Sequence, residues 1–123
     1  MTHSVLIGIP DLLLSSRVNA TARSLGIPTI ATFTPHDLFS KAHGEEPHLL
    51  LIDLSAEQLD PIASIRNLRE DIHTTSLQII GFAAKPDDDT MHHAKDAGCD
   101  LVISKTQLLE SLPEILQGKI LKG

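Results

Sequence analysis

Two residues combine a reactive type with a position that a fold would hold still. Asp53 ends the apolar run Leu49-Leu50-Leu51-Ile52, and Lys105 ends the run Leu101-Val102-Ile103-Ser104. A carboxylate can attack a phosphoryl group as a nucleophile, and an ammonium beside it neutralises charge on the product. An ordinary ion pair at two strand ends uses the same residue types, so the types alone leave both readings open. Asp11 lies just past the first apolar run and offers a third carboxylate. It could hold a metal ion or cap the helix that follows, and its place before that helix favours the cap.

These side chains meet only if the elements between them bring strand ends together. Val5–Ile9 reads as a buried strand, followed by a helix over 11–25 with Leu14, Val18, Ala22 and Leu25 on one face. Thr29–Phe33 is a short strand rich in β-branched residues. Thr34-Pro35 then marks a helix start that carries to about Ala42 and stops near Gly44. The strand His48–Ile52 is apolar on both faces, which implies helices covering each side of a central parallel strand. A helix over Leu59–Arg69, a strand over Leu77–Phe82, a helix opened by Pro86-Asp87-Asp88-Asp89 and closed by Ala97-Gly98, a strand over Leu101–Ser104 and a helix over Leu108–Leu116 complete the chain. Five βα units in succession predict a single doubly wound α/β domain of flavodoxin-like type. Its expected sheet has five parallel strands in the order 2-1-3-4-5, with the functional crevice at the strands' carboxyl ends. The expected domain is 1–123, with its core at about 4–117 and residues 118–123 forming a tail or the start of a linker.

With Asp53 closing strand three, and Ala97-Gly98-Cys99-Asp100 leading into Val102-Ile103-Ser104-Lys105, the chain resembles response-regulator receiver domains from Val5 to Leu116. The resemblance implies a phosphoacceptor position at Asp53, a charge partner at Lys105 and Mg²⁺ as the cofactor. It also implies partners among histidine kinases, phosphotransfer proteins and output proteins. A homodimer through the fourth helix, fifth strand and fifth helix is a further possibility it raises. No output domain is expected, because the chain ends soon after the fifth helix.

The departures from that family's pattern are as informative. Ile9 and Pro10 stand where receivers usually carry two acids for Mg²⁺, which leaves Asp53, with Asp11 as a possible substitute, to supply carboxylates. Ala83 stands where a Ser or Thr hydroxyl is usual, Val102 where an aromatic is usual, and Thr106 where a proline often follows the lysine. The resulting expectation is a non-enzymatic signalling module of the phosphorelay type, an atypical or pseudo-receiver that works by protein–protein interaction. Two alternatives stay open. One is a functional phosphoacceptor with Asp11 as a substitute ligand, and the other is a small flavodoxin-like enzyme or cofactor binder.

Composition narrows the classes further. A net charge of −6 argues against nucleic acid and against a membrane surface. One cysteine, Cys99, permits no internal disulfide and no cysteine zinc site, which suits a cytoplasmic protein, and Cys99 itself reads as a small buried residue. No G-x-G-x-x-G, G-x-x-x-x-G-K or G-x-S-x-G motif is present. Of the seven histidines, His92 and His93 are neighbours on a helix and point apart, while His43 and His48 flank a loop; solvated positions are expected for these four. Leu12 and Leu13 exceed what the core face of the first helix needs, so at least one should be partly exposed. They could serve as a partner surface or pack at the edge of the last helix.

Overall fold

The computed structural model describes residues 4–119. Of the tail or linker start expected at 118–123, residues 120–123 lie outside the described residues. Five strands, β1 (Val5–Gly8), β2 (Thr29–Ala31), β3 (Leu49–Asp53), β4 (Gln78–Ala83) and β5 (Leu101–Ser104), form one parallel sheet in the order β2-β1-β3-β4-β5. The order is the expected one.

The strand sequences dictate two cores, because successive side chains of a strand leave opposite faces. Val5, Ile7, Leu49, Leu51, Ile80, Phe82 and Ile103 pack on one face with Leu14, Val18 and Ala22 of α1 (Leu12–Ser24). The same face is covered by Leu108 of α5 (Lys105–Glu110) and by Leu112, Ile115 and Leu116 of α6 (Leu112–Leu116). Leu6, Leu50, Ile52, Ile79 and Val102 pack on the other face. There they meet Leu38 and Ala42 of α2 (Pro35–Glu45), Ile65 and Leu68 of α3 (Pro61–Glu70), and Ala94 and Ala97 of α4 (Asp88–Ala97).

The helices begin where side chains satisfy the first free N–H groups. Asp11, Thr34, Asp87 and Ser104 each accept from the backbone one turn on. At Ser104 the cap is reciprocal, since Gln107 Oε1 accepts from the Ser104 N–H while the Ser104 hydroxyl accepts from the Gln107 N–H. That box starts α5 at Lys105, three residues before the expected Leu108. The expected single helix to Leu116 is two, broken at Ser111 before Leu112-Pro113, because a proline cannot donate within a continuous helix and is tolerated only in a first turn.

At the amino end of β4 and β5, Arg69 of α3 joins two loops. Its Nε donates to Gly98 O (2.8 Å), one Nη to the carbonyls of Thr75 and Leu77, and the other Nη pairs with Asp100 at 2.8 Å. Asp100 also accepts from Ile79 N at 2.7 Å. Gly98 adopts φ +124°, and a Cβ there would collide with Arg69 Cγ, so both conformation and space require glycine.

Candidate functional site

Asp53 is the last residue of β3 and is half-buried at the carboxyl edge of the sheet. By alternation its side chain falls on the face of Leu49 and Leu51, toward α1 and α5. Its register partner on β4 is Phe82, and on the other side, one step beyond the Gly8–Ile52 pair, the chain continues to Ile9. Phe82 and Ile9 are each 2% exposed, and both belong to the core of that face. Hydrocarbon therefore flanks the carboxylate on both sides.

The polar partners of Asp53 come from its own turn. Oδ1 accepts from Ser55 N at 2.9 Å and from Ser55 Oγ at 2.6 Å, while the Asp53 carbonyl accepts from Ala56 N. This is a local Asx turn with an added hydroxyl. Ser55 was not among the residues singled out from sequence, although the Asp-x-Ser spacing is the signal that marks such a turn.

Asp11 is exposed, and its Oδ1 accepts from Leu13 N (3.0 Å) and Leu14 N (3.3 Å). The cap reading holds, and that oxygen serves α1. Pro10 is half-buried and offers only a backbone carbonyl. Ile9, one residue past the end of β1, is a core residue, because alternation turns it inward with Val5 and Ile7. The resemblance read from the sequence implies Mg²⁺ here. The donor chemistry fits a resident ion poorly, since Asp11 lends Oδ1 to its helix cap, Asp53 lends Oδ1 to Ser55, Pro10 offers only a carbonyl, and the buried side chains of Ile9 and Phe82 stand beside Asp53.

Lys105 opens α5 and is exposed. Among the described residues no ion pair joins it to Asp53. Instead it lines a groove of about 210 Å³ with Asp11, Leu13, Leu14, Arg17 and Leu109, between α1 and α5. Ala83 closes β4 beside Ser104 and carries no hydroxyl; the Ser104 hydroxyl is taken up by its cap. Val102 is buried on the opposite face. Next to it, the space over Gly81 is occupied by Leu54, since a Cβ on Gly81 would lie 2.9 Å from both Leu54 methyls. Leu54 N in turn donates to Phe82 O at 2.9 Å, which ties the Asp53 turn to β4.

The N–H of Thr90, followed by its hydroxyl, holds the Asp87 carboxyl below its ordinary value at the start of α4. Burial pushes the Cys99 thiol up. The thiol is buried as expected and directs weak hydrogen bonds to Leu101 O and Ile79 O. Leu12 and Leu13 are 73% and 86% exposed, so neither has packed away against the last helix. No helix among the described residues is long and apolar enough to cross a membrane.

No family model matches the chain. Response regulator protein VraR of Staphylococcus saprophyticus is 25% identical over 81 residues, which cover 66% of this chain and 38% of that protein. The similarity therefore spans well under half the length of that curated relative. The solved structure of chemotaxis response regulator CheY4 of Vibrio cholerae superposes with a TM-score of 0.84 at 14% identity, covering 98% of this chain and 100% of that one. A CheY-like response regulator receiver domain protein of Methanospirillum hungatei gives 0.79 at 17%, covering 97% of each. The receiver domain of a sensor histidine kinase of Pseudomonas aeruginosa, solved with magnesium in its active-site cleft, gives 0.78 at 17%, covering 95% of this chain and 99% of that one. At these identities the likeness establishes the fold.

Proposed function

We propose, from the premise that this chain has the response-regulator receiver fold, that it is a signalling module acting through protein–protein contact, with phosphoryl transfer to Asp53 dispensable. The observation that carries this reading is the pair of neighbours of Asp53. Ile9 and Phe82 are buried hydrocarbon on either side, and the carboxylate's own oxygen contacts come from Ser55. A phosphoryl-driven switch is a population shift, and its size is set by contacts that differ between the two states. Here a phosphorylated Asp53 would find no metal cage, no hydroxyl at Ala83 and no aromatic relay at Val102.

The partners this reading calls for are a histidine kinase, a phosphotransfer protein or an output protein. Leu12 and Leu13 offer an exposed apolar contact beside the groove that holds Lys105. Such exposed leucines bind by desolvation, which does not depend on a phosphoryl group. The face formed by α4, β5 and α5 is the second contact surface in this reading.

The deciding experiment is an amide NMR titration, first with Mg²⁺ and then with beryllofluoride. The expected result is no saturable shift at Asp53, Asp11 or Lys105 at millimolar Mg²⁺, and none on adding beryllofluoride. Saturable shifts centred on those residues and spreading into β5 would overturn the proposal. They would establish a working acceptor with Asp11 recruited from its cap. Asp53→Asn provides the second arm: partner binding should be unchanged, and loss of a partner response would count against the proposal.

A further inference from the structure

The fold brings together three metal-ligating side chains that are distant in sequence, at the end of the sheet opposite Asp53. His43 lies on the last turn of α2, Asp71 follows the last residue of α3, and His73 lies in the turn leading to β4. One ligand atom from each falls within 4.8 Å of the others. His43 Nε2 is 3.7 Å from Asp71 Oδ1, and the two imidazole rings are 4.6 Å apart between centroids. Sequence reading placed His43 in solvent beside a loop and did not connect it to His73.

The scaffold under the cluster is fixed. Asp71 Oδ1 accepts from His73 N at 2.8 Å, Asp71 O accepts from Thr74 N at 3.0 Å, and the buried Thr74 hydroxyl donates to Leu68 O at 2.6 Å. The turn carrying His73 is therefore pinned to the end of α3. Phe39, one turn before His43 on α2, lies 5.8 Å from the His43 ring between centroids. Metal ligands bind at about 2.0–2.2 Å and sit about 3–3.5 Å from one another around a tetrahedral ion. His43 and His73 are both exposed, so rotations about their own χ angles can supply the small closure required.

The geometry points to a surface site for a divalent transition metal, of the Zn²⁺ class, held by His43, Asp71 and His73 with water completing the shell. Two imidazoles and one carboxylate match Zn²⁺, Ni²⁺ or Cu²⁺, whereas Mg²⁺ and Ca²⁺ prefer an all-oxygen set. The Asp71 oxygen near His43 is Oδ1, which accepts from His73 N and keeps a lone pair for the ion. Binding would tie the end of α2 to the α3–β4 turn and, by mass action, stabilise the folded chain. The site shares no residue with the Asp53 crevice, so the two proposals stand or fall separately.

The test is isothermal titration calorimetry of the metal-free full chain with Zn²⁺ alone, with amide NMR of the same sample. One saturable equivalent is expected, with shifts at His43, Asp71 and His73, a raised unfolding midpoint and no such shifts with Mg²⁺. His43→Gln and His73→Gln should each weaken Zn²⁺ by about tenfold or more, because groups that merely support a ligand already cost about that much. His92→Ala/His93→Ala should leave the affinity unchanged. Both single variants replace exposed side chains, and far-UV circular dichroism matching the parent chain is required of each before its affinity is read. Binding that survives both single variants, binding lost in the His92/His93 variant, or no saturable binding would each overturn the site.

Discussion

The acid behaviour of α4 rests on one exposed carboxylate. Asp87 accepts from Thr90 N at 2.7 Å, and that bond lowers its pKa below the ordinary 3.8. A carboxyl whose folded value lies below its unfolded value contributes stability that is complete above the unfolded value. That contribution is lost as pH falls through the folded value. The expected outcome is that Asp87→Ala frays the first turn of α4 at neutral pH, seen as faster amide exchange at Asp89 and Thr90. The difference from the parent chain should shrink below about pH 3.8, the unfolded value, and vanish once both states are protonated. A carbon-detected titration of the Asp87 carboxyl checks the direction, and a midpoint above 3.8 would contradict it. The residue scale was partly legible from sequence. Asp11 precedes a helix and reads as its cap, the acids from Asp87 mark where α4 opens, and Asp53 stands out because an apolar run ends on it. Ser55 was missed because its role depends on the turn geometry after β3, and Phe82 emerges as a neighbour only when strand register is known, whereas Ile9 already stood out as the place of a missing acid.

At the scale of elements, the turn after β3 is wedged into the sheet. Leu54 fills the space over Gly81, between strands β3 and β5 on the face that also carries Val102. Gly81→Ala would place a methyl 2.9 Å from the Leu54 methyls, and overpacking of this kind costs about 1–3 kcal/mol. The expected result is a lower denaturant midpoint together with amide shifts at Asp53 and Ser55, because Leu54 sits between them in the chain. A variant of unchanged stability, with shifts confined to β4, would show that Leu54 does not govern that turn. The strands were legible from their apolar runs and the sheet order from the βα alternation. The last helix was not, because Leu108, Leu112, Ile115 and Leu116 keep a helical period across the break. The signals that divide it are the Ser104–Gln107 box and Pro113, which a reading by apolar spacing passes over. Cluster formation by His43, Asp71 and His73 escaped for a related reason: it depends on α2 and α3 lying side by side, which no local pattern encodes.

For the whole molecule, two cores share one sheet, so neither can be lost without exposing the other. A domain of this size with that arrangement should unfold in one cooperative step. The chain has no Trp and no Tyr, so intrinsic fluorescence offers little signal. Cys99 serves instead, buried between α4 and β5, with its thiol pushed up by burial. In urea, pulse labelling of Cys99 should follow the same midpoint as far-UV circular dichroism, and earlier labelling would reveal independent opening of β5. The two ends of the strand order are also unequal in a way that matters at high concentration. The outermost β2 has three residues, Thr29–Ala31, directly after Pro28, which has no N–H to donate. A rim so brief gives another chain's backbone almost nothing to zip against, so concentrated solutions of this protein should resist stacking into fibres by that edge.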